Sequence, residues 1–429
     1  MKDNFQIIMV IVFIAAAVFG IMVFSGAIPI GGGSDTTTGT GTVVLWGTVR
    51  GQTMGPLIEE FNALNNGNFT VRYEEKQAET FNQDLLEALA AGVGPDMFFL
   101  PNDLAFHYSN KIFTIPYETY PLASFQNNFA GAGEVFLTSR GILAFPLAID
   151  PLVMYYNRSI LDADNVIFPP KDWDEFITQV PILTKKDDEN KISKNGTALG
   201  HISNVTNAKD IIAMLFMQLG DKIVVEKDGS FTSVLNSSGG LEGALRFYTD
   251  FADPGKVVYS WNKSFPVSHD FFSTEKLAFY FGFASEFQSL VNKNPNQNFQ
   301  LAPVPQIKNS NFKLTGAKVT GVALSSFSKN FNTAFIAASQ MATGPFAQKF
   351  ALALGVAPAR RDLLAQVPKD AYSPTFYSSA LYARSWLDPS PEDTDNIFRN
   401  MVESVLSNNM TPVNAMKDAS SKLGLLLLR

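Results

Sequence analysis

"FPLAIDPLVMYYNRSILDADNVIFPPKDWDEF", residues 145–176, opens as an apolar strand and then sets a single acid, Asp150, between Ile149 and Pro151. An ionised carboxylate buried without a partner is costly, so the acid implies that the strand passes a polar surface at that point. The run continues through Tyr155, Tyr156 and Asn157, and Pro169 and Pro170 precede a helix start near Trp173.

Upstream, strands and helices alternate. Residues 43–46 are an apolar run, and Leu57, Ile58, Phe61 and Leu64 recur at helical spacing. Phe69, Val71 and Tyr73 alternate as in a strand, "TFNQDLLEALAAG" is a second helix ended by Gly92, and "GPDMFFLPND" is a turn into a short buried strand. That order predicts parallel β-α-β units with helices on both faces of a sheet. Downstream, "DIIAMLFMQLG" is a helix ended by Gly220, "KLAFYFGF" and "TGVALSS" are strands, and "QKFALALGVAPARRDLL" is a helix broken at Gly355 and Pro358. No fixed-period repeat is present, which argues against a solenoid or propeller.

The 429 residues suffice for two domains or one bilobed unit, and 46% apolar residues with only 17% charged ones predict a packed globule. A net charge of -7 without a Lys/Arg block lacks the footprint of a nucleic-acid binder. The chain has no Cys, and its three His, at 107, 201 and 269, have no His-x-x-x-His spacing; thiol chemistry is excluded and no metal or cofactor is expected.

Residues 7–24 carry no charge, and as a helix they would span about 27 Å at about 1.5 Å per residue. They predict a transmembrane anchor over 1–26, with a cleaved signal ending at "SGA" (25–27) as the alternative. The Gly/Thr-rich run that follows, 27–42, is a flexible linker. A folded body outside the cytoplasmic membrane is then expected from residue 43 onward.

The segments "VVLWG", "GPDMFFLPND", "AFPLAIDPLVMYYNRSIL", "PPKDWDEF", "LAFYFGF" and "GVAPARRDLL" stand in the order and rough spacing of family 1 extracellular solute-binding proteins of ABC transporters. The chain resembles that maltose-binding-protein-like group from about residue 43 to about 426. The resemblance implies a two-lobed α/β fold of the periplasmic-binding-protein type II class: residues 43–149 plus 323–357 as one lobe, 150–322 plus 358–429 as the other. Crossovers are implied near 149–150, 320–323 and 355–358, with solute held in the cleft between the lobes. Asp150 would then leave one lobe for the other facing that cleft.

A cleft for a neutral polyol needs carboxylates that accept from hydroxyls and aromatic faces that stack on the ring. The resemblance places sugar-contacting acids at Asp150 and Asp103. It departs at Leu100, where the family has an aromatic, and at "ASEFQ", where Glu286 and Phe287 replace a Trp-bearing segment; following a buried strand, these two are themselves candidates to line the cleft. Trp46 and Arg50, at and after the end of the first strand, are further candidates, because strand ends in open α/β sheets face the crevice. Trp261 in "YSWNKSF" and Trp386 in "ARSWLDP" are taken as surface-loop aromatics able to reach a solute, and Tyr155 as a further contact. Trp173 is expected to pack at its helix start.

The expected function is therefore a monomeric, membrane-anchored receptor, not an enzyme, that captures a mono- or oligosaccharide and delivers it to permease subunits. A polyamine, a peptide or a sensory role are alternatives within binding; an anchored glycoside hydrolase pairing Asp150 with Glu286 is the catalytic one. No Gly-x-x-x-x-Gly-Lys-Ser/Thr loop occurs, so ATP hydrolysis would belong to a partner.

Overall fold

The structure, a computed structural model, describes residues 40–428 apart from 190, 221 and 236–239. The apolar segment 7–24 and most of the Gly/Thr run lie outside the described residues. Among the described residues no helix is long and apolar enough to cross a membrane.

β1 (Gly41–Gly47), β2 (Phe69–Glu75) and β3 (Met97–Pro101) are linked by the helices Gly51–Leu64 and Phe81–Ala90, and β1 pairs in parallel with both neighbours. The first helix buries Met54, Ile58 and Phe61 against the sheet, a stripe at helical spacing, while Leu64 emerges beyond the stripe into solvent. β3 is buried from Met97 through Leu100.

The centre of the sheet is β4 (Ala144–Asn157). It is joined later in the chain by β5 (Lys185–Lys186), β6 (Ile192–Thr197), β7 (Leu277–Phe283), β8 (Phe299–Ala302), β9 (Thr315–Leu324), β10 (Ala357–Pro358) and β11 (Ala383–Arg384). The order is β2-β1-β3-β9-β4-β7-β6-β5, with β8 and β10 added on β4 and β11 on β9. Along β4 the partners change. Residues 144–151 pair antiparallel with β9, whereas 152–156 pair with β7 and 154–157 with β8.

Every residue of β4 is buried except Asp150, which is half-buried at the point where the partners change. The near-continuous apolar burial reflects a strand covered on both faces. Two prolines mark it, since neither can donate to the ladder. Pro146 sits opposite Gly321 where the register slips: Thr320 pairs with Ala148 and Gly321 with Pro146, so Leu147 is the extra residue of a bulge. The Leu147 carbonyl accepts instead from Ala359 N–H at 3.0 Å.

Candidate functional site

Asp150 is the register partner of Lys318, and Ala148 that of Thr320. Alternate residues of a strand share a face, and these four side by side form the floor of a cavity of about 250 Å³. Asn102 and Asp103 enter it from the short turn after Pro101 ends β3, Ser285 from the turn after β7, and Leu354 and Val356 from the segment that follows the helix Pro345–Ala353. Asn102 is fixed: its Oδ1 accepts from Val319 N–H at 2.8 Å and its Nδ2 donates to Ser385 Oγ at 2.8 Å.

Ser285 N–H donates to Asp150 Oδ1 at 3.0 Å. Burial nevertheless dominates and pushes the Asp150 carboxyl up to about 6, with Ser285 and Lys318 opposing the rise and Glu286 adding to it. Asp103 is also raised, by burial and then by Asp388, against Lys318 and Lys209. Asp210, in the first turn of the helix Ala208–Gln218, is raised by burial against the same two lysines. Lys209 is held by Asp388 Oδ2 at 2.8 Å, the Pro391 carbonyl at 3.1 Å and Thr394 Oγ1 at 3.0 Å.

Of the residues singled out in the sequence, Asp103 and Asp150 are brought into one cavity; Lys318, Ser285 and Thr320 join them without having been singled out. Glu286 is close by but committed. One carboxylate oxygen accepts from Asn207 Nδ2 at 2.6 Å and from Phe283 N–H at 2.9 Å, and the other from the Tyr280 hydroxyl. Its oxygens are thus used in holding the turn after β7, which removes Glu286 as the second acid of a glycosidase pair with Asp150.

The aromatic candidates are differently placed. Trp261, expected on the surface, is fully buried: its Nε1 donates to Asn204 Oδ1 at 3.0 Å and its ring stacks on Phe265 at 4.9 Å. Tyr155 is likewise enclosed, its hydroxyl donating to the Phe283 carbonyl at 2.7 Å, so it packs the core and offers no face to a solute. Trp46 is buried at the end of β1 with Lys76 Nζ 3.7 Å from its ring centroid. Phe287 lies against Tyr372 at 4.4 Å. Arg50 is exposed at the start of the helix Gly51–Leu64, where its carbonyl accepts from Thr53 and Met54.

Trp386 lines a second cavity, about 620 Å³, together with Gly131, Glu134, Glu226 and Arg384. Trp173 is buried as expected at its helix start, Nε1 donating to Gln218 Oε1 at 2.7 Å. Among the described residues no group of three His, Asp or Glu could hold a metal ion.

Residues 56–375 match the family described as bacterial extracellular solute-binding proteins. A protein of Brucella abortus (strain 2308) described as a binding protein is 26% identical over 209 residues, 47% of each chain; the chain thus spans about half the length of the curated relatives it matches. A cyclo/maltodextrin-binding protein solved with maltotetraose superposes with a TM-score of 0.72 at 19% identity, covering 92% of this chain and 97% of the other. The sugar-binding protein of Xanthomonas citri gives 0.72 at 17% identity over 90% and 97%. The cyclic alpha-maltosyl-1,6-maltose binding protein of Arthrobacter globiformis gives 0.74 at 14% over 91% and 99%. These likenesses establish the two-lobed α/β periplasmic-binding-protein fold.

Proposed function

The chain belongs to the family of bacterial extracellular solute-binding proteins, and from that premise we propose that it captures a carbohydrate outside the cytoplasm and delivers it, as a monomer, to the permease subunits of an ABC transporter. The observation that carries this reading is the single cavity holding Asp103, Asp150, Ser285 and Thr320 where β4 changes partners. It offers hydroxyl groups both acceptors and donors, which a polyol needs on several sides at once.

The lobes are assigned as 43–149 with 323–357 and 150–322 with 358–429. The change of partners at Asp150 and Pro151 supports that division on β4. Asp103 then belongs to one lobe and Ser285 to the other, so a solute touching both favours the closed form by its differential affinity for it. Closure changes the outer surface that a permease meets, and no bond is made or broken. The uncharged segment 7–24 is assigned as the membrane anchor that keeps the body near its transporter.

The experiment is thermal unfolding of the full chain against mono- and oligosaccharides, polyamines and peptides. A ligand that binds only the folded form raises the midpoint by mass action. A shift with one sugar class that disappears in folded Asp150→Ala is expected. A shift with a polyamine or peptide and with no sugar would overturn the carbohydrate assignment.

A further inference from the structure

The cleft cavity lacks what a neutral sugar chain stacks on. None of its lining residues is aromatic, and the nearby rings are occupied: Phe283 lies under Lys318 Nζ at 4.2 Å, Phe287 against Tyr372, and Trp46 under Lys76. At about 250 Å³ the cavity is also smaller than the roughly 300–1,000 Å³ of most small-molecule sites, room for one ring and not for a chain.

Charge is the second property. Asp103 and Asp150 line the cavity. Among the described residues neither of these two acids is in an ion pair. Lys209 is consumed by Asp388, whose own carboxylate also takes Thr394 Oγ1 at 2.8 Å and Ser390 N–H at 3.1 Å. That leaves Lys318, exposed and over the Phe283 ring, as the one cation among the described residues lining the cavity, against two acids. Burial raises the proton affinity of both, and Lys318 opposes the rise without cancelling it. A solute that covers the cavity removes the water that now screens them, and a neutral one would deepen the shortfall.

We infer that the solute is a single-ring amino sugar, its ammonium directed to Asp103 and its hydroxyls donating to Asp150. The inference rests on the carbohydrate reading above and narrows it. An ammonium supplies the missing charge and three donors in one compact group, while the ring hydroxyls use Asp150, Ser285 and Thr320.

Calorimetric titration of the full chain tests it with glucosamine, galactosamine and mannosamine against glucose, galactose and mannose, with maltotetraose and spermidine alongside. An amino sugar is expected to bind at least tenfold more tightly than its neutral counterpart, with the gap shrinking as salt is raised. Asp103→Asn should narrow the gap about tenfold in a chain whose thermal midpoint is preserved; Asp103→Ser serves the same purpose if the first variant fails to fold. A neutral monosaccharide bound as tightly as its amine, or maltotetraose bound with no monosaccharide, would overturn the amino-sugar inference and leave the carbohydrate function standing. Binding of spermidine and no sugar, or of none of these compounds, would overturn both.

Discussion

Asp150 and Lys318 face each other across the β4–β9 pair, yet they form no ion pair: the acid takes its hydrogen bond from Ser285 while the amine lies over the Phe283 ring. The two charges nearest the middle of the sheet are therefore held apart by separate local partners. Each keeps capacity for a third group placed between them.

Asp150 stores part of the cost of the site. Its proton affinity is raised from 3.8 to about 6 on folding, so the folded chain binds the extra proton and stability falls as the pH rises from about 4 to about 6. Asp150→Asn should flatten that slope and raise the neutral-pH stability of the unliganded protein by about 1 kcal/mol, a full-burial figure reduced because water reaches the acid. Thermal midpoints measured across that range check it; an unchanged slope in the variant would assign the titration to another group.

Solute binding should carry the same signature with opposite sign. An ionised Asp150 accepts from hydroxyl groups more strongly than its protonated form, so affinity should increase as the pH rises through about 6, in a site where Ser285, Lys318 and Glu286 are the groups acting on it. Titrations of wild type and Asp150→Asn at a series of pH values read this directly. The variant should bind weakly and with no step near that pH.

Glu286 should behave as a structural residue. Glu286→Ala leaves the donors of Asn207, Phe283 and Tyr280 without their acceptor and should cost about 3 kcal/mol, at about 1 kcal/mol or more per stranded donor. Denaturant unfolding measures it. Undiminished stability with abolished solute binding would instead make Glu286 a contact residue.

Lys209→Met should be worse than losing a surface ion pair. It strands Asp388, whose side chain is 4% exposed, and a buried charge without its partner costs about 3–5 kcal/mol. Adding Asp388→Asn should recover most of the loss, a coupling that a double-mutant cycle quantifies.

Gly321 permits the bulge in β4. A Cβ there would stand 2.8 Å from the Phe136 ring and 2.9 Å from the Ala144 methyl, both buried, so Gly321→Ala should destabilise the chain by about 2 kcal/mol. The same substitution at Gly243, where nothing lies within 4 Å, is the control and should leave the midpoint unchanged or slightly higher.

The sequence discloses the β-α-β order and the oddity of Asp150 because both are local: a period, and a charge inside an apolar run. Lys318 offers the same signal, a lone charge in "TGAKVTGVAL", and the rule applied to Asp150 would have found it. Trp261 and Glu286 are another matter. Trp261 is buried through a bond to Asn204, 57 residues away, and Glu286 is engaged by Asn207, 79 residues away. Which loops close over which side chains is decided by tertiary packing, which neither composition nor periodicity encodes.

β3 and β4 are never neighbours; β9 lies between them. A chain emerging from the ribosome therefore completes the first four strands while the slot at the middle of its sheet stands empty, and the strand that fills it begins at Thr315. Until then β3, buried from Met97 to Leu100 in the finished molecule, presents an open apolar edge of the kind that pairs with other chains. The nascent protein can reach its folded state only late, and it is exposed to misassembly for most of its synthesis.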